Sequence, residues 1–142
     1  MEKLKFKIAL ESEWFNNPPN LRVSINNDTL IDSPLREPII IEHEVSLNDE
    51  QSHTLNFTLH DKSKYDTELD EKGEITKDTL VKIKQIEIDD VDITHMLSAN
   101  PDVFYYKHDD GTVTTFHDVM GVNGTSTVNF TTPFYVWLLE TL

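Results

Sequence analysis

Seven carboxylates crowd into nineteen residues at HDKSKYDTELDEKGEITKD, residues 60–78. Calcium takes about six to eight oxygen ligands. Asp61, Asp66, Asp70 and Asp78, with Glu68 and neighbouring carbonyls, could supply them. The spacing is not that of an EF-hand, because no Asp-x-Asp-x-Asp-Gly run is present. Four lysines, Lys62, Lys64, Lys72 and Lys77, interrupt the carboxylates, and Gly73 suits the tip of a hairpin. The stretch therefore reads either as a calcium site or as a solvated excursion joining two strands.

Histidine offers a second chemistry. His60, His108 and His117 each precede an aspartate. Neighbouring residues on a strand point to opposite faces, so such a dipeptide is not expected to act as a dyad. A metal-dependent hydrolase would need these elements to converge in space. No serine or glutamate stands in a recognisable nucleophile or acid–base setting, and the chain reads as non-enzymatic.

Aromatic side chains offer a third. Trp14-Phe15 precede Asn16-Asn17-Pro18-Pro19, a loop composition, and Tyr105-Tyr106 form another pair. Aromatic faces combine large contact area with a polar handle and suit sugar stacking. Trp14, Phe15, Tyr105 and Tyr106 are the candidate ligand contacts.

The elements that must position these groups are strands. Leu4, Phe6, Ile8 and Leu10 alternate with Lys3, Lys5, Lys7 and Ala9, and the same period of two recurs at 21–25, 39–47 and 55–59. Asn27-Asp28 marks a tight turn, Gly111 closes a hairpin at KHDDG, and Asn123-Gly124 is the strongest turn signal. Val81 and Ile83 fall out of phase with Ile86 and Ile88. A β-bulge, or a bend carrying the strand between sheets, is expected at Lys84-Gln85. The stretch VDITHMLSANPD is the best helical candidate, long enough for a turn or two. His43 interrupts an apolar phase and reads as a satisfied or edge histidine. PFYVWLLETL is apolar in both phases, which predicts burial on both faces, as a central strand or as a short helix docked on the body or on a neighbouring subunit. The whole reads as one all-β domain over residues 1–142, an antiparallel β-sandwich or jelly roll.

Composition sets bounds. Twelve basic residues face 26 acidic ones, a net charge of −14, which repels phosphate backbones and argues against nucleic-acid binding. The longest apolar run, Phe134 to Leu139, is far short of the roughly 20 residues that span a bilayer. The N-terminus reads as a strand and not as a signal peptide. Without cysteine, disulfides and thiolate chemistry are excluded. Four Asn-x-Ser/Thr sequons carry little meaning without secretion.

Two stretches carry resemblances. LNFTLHD at 55–61, with DTLVKIKQIEIDD at 78–90, resembles the paired strands of calcium-dependent, xylan-binding carbohydrate-binding modules. Asp61 matches that family's acidic turn and Asp78 its opening acid, while Thr79-Leu80 and Lys84 depart from its pattern. GVNGTSTVNFTTPFYVWLLETL, residues 121–142, together with the KD..V.I..I.ID stretch at 77–89, is similar to small uncharacterised proteins of marine cyanophages. That resemblance implies a phage origin and a virion or host-contact role, with synthesis in the host cytoplasm. The expectation is an accessory or adhesive virion component. It would contact a protein partner or host-surface glycan, and associate with other virion proteins or with itself through the C-terminal segment. A purely structural assembly protein without a small ligand is the alternative, and the hydrolase is the remote one.

Overall fold

A computed structural model describes residues 1–141. Its strands are β1 (Glu2–Glu13), β2 (Asn20–Ile25), β3 (Asp28–Pro34), β4 (Ile39–Leu47), β5 (Ser52–His60), β6 (Glu68–Leu69) and β7 (Ile75–Lys77). They continue with β8 (Leu80–Ile88), β9 (Val91–Asp92), β10 (Phe104–His108), β11 (Val113–Thr115), β12 (Val119–Met120) and β13 (Gly124–Thr131). One α-helix, α1 (Phe134–Thr141), follows. One sheet runs β12-β8-β1-β4 with β9 beside β8, the other runs β11-β10-β13-β5-β2-β3, and β6-β7 form a separate hairpin. Every pairing is antiparallel. The alternation legible in the sequence thus builds an antiparallel β-sandwich.

The inward rows supply the core. Leu4, Phe6, Ile8 and Leu10 of β1 are buried, as are Leu55, Phe57 and Leu59 of β5. At roughly 1.5–3 kcal/mol for each large apolar side chain removed from water, this shared interior is the main favourable term in the fold. The phase slip in β8 is a bulge. Leu10 pairs with Ile83 and Ala9 with Gln85, so Lys84 is the extra residue. The bulge lets Val81, Ile83, Ile86 and Ile88 all reach the interior, and β8 stays in one sheet.

Several local expectations change. The first hairpin turns at Asn26-Asn27, one residue early, because the Asn26 amide reaches across to β5. Its Oδ1 accepts from the Thr54 N–H at 3.0 Å, and Asn26 itself has φ 53°. Asn123-Gly124 is not a reversing turn. Gly124 opens β13, and a Cβ there would lie 2.4 Å from the Lys107 carbonyl oxygen, so the glycine serves close strand approach. The predicted helix over 91–102 holds only β9 and a 3-10 turn at Thr94–Met96, which buries Ile93, Met96 and Leu97. His43 lies half-buried on β4, at a sheet edge, as expected.

The C-terminal segment is the helix. The Phe134 N–H donates to the Glu2 carboxylate at 3.0 Å, and Phe134 and Trp137 turn inward. The expectation of burial on both faces is corrected. A three-residue step puts Phe134 and Trp137 on the body, while Tyr135, Val136 and Leu139 face water. Among the described residues, no helix is long and apolar enough to cross a membrane.

Candidate ligand groove and the acidic excursion

Residues 61–79 leave the end of β5 and return to β8 as a pinned excursion. Lys62, near its start, sends Nζ to the Asp78 carboxylate at 2.6 Å and to the Gly121 carbonyl at 2.5 Å. Thr67 Oγ1 (2.7 Å) and the Thr79 N–H (2.9 Å) also donate to Asp78 Oδ1. Burial works to raise the Asp78 pKa, but Lys62, Thr67 and the Thr79 amide outweigh it and hold the carboxyl below its ordinary range. Asp66 is buried and closes a capping box on the turn at 64–66: Ser63 N–H donates to its Oδ2 at 3.0 Å. Asp70 caps the tip, accepting from the Lys72 and Glu74 amides at 2.8 and 2.9 Å.

The four carboxylates proposed for calcium are therefore dispersed. Asp61 and Asp66 share a small polar cavity with Arg36 and Lys62, Asp70 sits at the exposed hairpin tip, and Asp78 faces Lys62. Among the described residues, no three His, Asp or Glu side chains converge as a metal-holding group. Asp66→Ala should cost about 1–2 kcal/mol through loss of the capping box and of a buried acceptor, whereas Asp70→Ala, which removes an exposed cap at the tip, should cost about 0.5–1 kcal/mol. Chemical denaturation should give the same difference in calcium and in chelator. A loss in both variants that chelator abolishes would point instead to a cation held between them.

The excursion positions the aromatic loop. The Thr79 hydroxyl, at 3.1 Å from the Phe15 carbonyl and 3.0 Å from the Asn17 carbonyl, also accepts from the Phe15 N–H. Asn16 Nδ2 donates to the Tyr65 carbonyl at 2.6 Å, and Asn17 Nδ2 to Asp66 Oδ1 at 3.0 Å. These bonds tie residues 15–17 to the excursion and leave Trp14 and Phe15 beside β7. Between them runs a groove of about 450 Å³ lined by Trp14, Phe15, Ile75, Lys77, Glu13 and Asp78, among others. Trp14 is 45% exposed, Ile75 62%, and Lys77 Nζ stands 5.4 Å from the Phe15 ring centroid. Two aromatic rings and an aliphatic side chain thus meet hydrogen-bonding groups of both charges.

The second aromatic pair is split by the strand. Tyr105 is half-buried on the outer face of β10, in register with Thr115 and Thr127. Tyr106 is a correction: its ring is in the core and its hydroxyl donates to the Val122 carbonyl, so it cannot stack on a ligand. The two tyrosines do not line the Trp14 groove. Sequence reasoning missed Lys62, Thr79 and Ile75. The opposite charges of Lys62 and Asp78, at the two ends of the excursion, were the available signal.

The histidines occupy separate settings, with one departure from expectation. Asp61 lies past the end of β5 with φ 59°, so its carboxylate swings back and accepts from His60 Nδ1 at 2.7 Å, while His60 Nε2 faces Asp32 at 3.0 Å. A dipeptide on a continuous strand could not make this contact. The Asp61 and Asp32 hydrogen bonds raise the His60 pKa against a smaller opposing effect of burial. Its contribution to stability is full below the ordinary histidine value, about 6.5, and is lost as pH rises through the raised folded value. An NMR titration should give His60 a midpoint above the ordinary value, lowered by Asp61→Asn. A midpoint at or below the ordinary value would refute the clamp. His108 meets Thr114 Oγ1 at 3.2 Å, and His117 borders a cavity with His95 and Asp118.

In class, then, the molecule is an antiparallel β-sandwich carrying an aromatic-lined surface groove. No family model, curated protein or solved structure matches the chain.

Proposed function

We propose that this protein is a non-enzymatic binding module whose Trp14 groove contacts a host-surface glycan, serving as an accessory or adhesive component of a phage virion. One observation carries the binding part: Trp14 is left exposed beside Phe15 and Ile75, in a groove that Glu13, Lys77 and Asp78 also line. An exposed indole next to a hydrogen-bonded loop needs little backbone ordering when it binds, and buried aromatic anchors dominate recognition energies. The virion part rests on the resemblance of residues 121–142 to marine cyanophage proteins. Glycan-array screening tests the binding: Trp14→Ala should weaken every bound glycan by about 2 kcal/mol or more, roughly thirtyfold, with the fold intact. Unchanged binding in Trp14→Ala would overturn the assignment.

A second reading, a structural assembly protein, is favoured by the exposed Tyr135, Val136 and Leu139 face of α1. An array without any binder, together with a stable ring or trimer in solution, would select it.

A further inference from the structure

β4 ends its sheet, and among the described residues no strand pairs with its outer edge over nine residues, Ile39–Leu47. Such an edge presents unpaired backbone donors and acceptors and is a template for another strand. Of its inner row, Ile39, Ile41 and Val45 pack on the core yet are only partly buried, with His43 half-buried among them and Leu47 buried at the end. Its outer row is Ile40, Glu42, Glu44 and Ser46, all exposed.

The complement to this pattern already lies on the paired side. β1 sets Ala9 opposite Ile40, Lys7 opposite Glu42 and Lys5 opposite Glu44, and Lys3 Nζ reaches the Glu44 carboxylate at 2.6 Å. A second strand on the free side would meet the same glutamates from the other direction. Ile40 leads this outer row and is 63% exposed, so an aliphatic residue set opposite it on the free side would cover apolar surface.

Two copies of this edge fit poorly at full overlap. Two β4 edges meeting antiparallel about His43 would set Glu42 against Glu44 twice, and like charges directly opposite destabilise a sheet. The other long free edge, β3, carries Asp28 and Asp32 and ends at Pro34. β1 is held on both sides by β4 and β8 and cannot be donated without unfolding. The net charge of −14 opposes self-association further.

We infer that the free edge of β4 binds an extended segment of a different protein, in which lysine or arginine alternates with aliphatic residues, by strand addition. Backbone bonds supply affinity, and Glu42 and Glu44 select the basic sequence. The inference stands apart from the Trp14 groove.

The probes are a peptide copying Lys3–Leu10, KLKFKIAL, and the same peptide with its three lysines replaced by glutamate. Hydrogen exchange on the natural chain should slow across residues 39–47 with the lysine peptide only, and binding should fall as salt rises. Glu42→Lys with Glu44→Lys should weaken the lysine peptide about tenfold or more and favour the glutamate peptide, since like-charge contacts penalise the wrong partner. Because the natural chain must itself discriminate the two peptides, the result does not depend on the variant folding. No binding at millimolar peptide, equal binding of both peptides, or slowing located elsewhere would overturn the inference.

Discussion

Phe130→Ala is expected to destabilise the protein by about 3–5 kcal/mol, the usual cost of emptying a buried aromatic site. Phe130 lies where three elements meet. On β13 its ring is 6.0 Å from Phe6 of the opposite sheet, 5.6 Å from His53 of β5 and 6.3 Å from Trp137 of α1. Deleting it unseats the helix and opens the sheet interface together, so little collapse can refill the space. For a chain of this size the melting temperature should fall by about 10–17 °C. Leu139→Ala, on the same helix but 74% exposed, should stay within about 0.5 kcal/mol. A loss below about 1 kcal/mol at Phe130 would mean that the sheets and α1 do not share one interior.

Lys62→Met comes second, at about 2–3 kcal/mol, because it strips a charged partner from a carboxylate largely withdrawn from water. Lys62 is 9% exposed and Asp78 17%, so the pair is neither a surface bridge nor a fully dry one. Thr67 and the Thr79 amide remain as donors and keep the loss below that of a deeply buried charge. The pH dependence has a definite sign. Asp78 is depressed in the folded state, so its contribution is present above the ordinary aspartate range and is lost as pH falls through the depressed value. Natural and variant stability curves should therefore converge in acid. Adding Asp78→Asn to Lys62→Met should recover part of the loss. A variant as stable as the natural chain at neutral pH would show that the excursion is not pinned by this pair.

The sandwich was legible because its cause is local. A period of two needs only the identities of Leu4, Phe6, Ile8 and Leu10, and the same rule located the bulge at Lys84 from a phase slip alone. What the sequence hid depended on distant partners. The period of two splits Tyr105 from Tyr106, but only the docking of β10 beside β13 decides that Tyr106 is the one facing inward. Asp61, Asp66, Asp70 and Asp78 look like one ligand set, but each is claimed by a different donor: His60, the Ser63 amide, the tip amides and Lys62. The Asn123-Gly124 pair looks like a turn until the Lys107 carbonyl is seen to need the space. The loop setting of Trp14 and Phe15 and the exposure of Trp14 were legible from the neighbouring Asn16-Asn17-Pro18-Pro19. Ile75 and Lys77 were not, because they approach only when the excursion folds back.

Trp14 and Trp137 make the decisive comparison, because one indole borders the groove and the other is buried in the core. NMR of the two indole N–H signals during titration with host-surface oligosaccharides tests the proposed function most directly. A binding glycan should shift the Trp14 signal in a saturable way and leave Trp137 in place. A bound glycan that leaves Trp14 unmoved, or no saturable shift across a broad set of oligosaccharides at millimolar concentration, would contradict the proposed function.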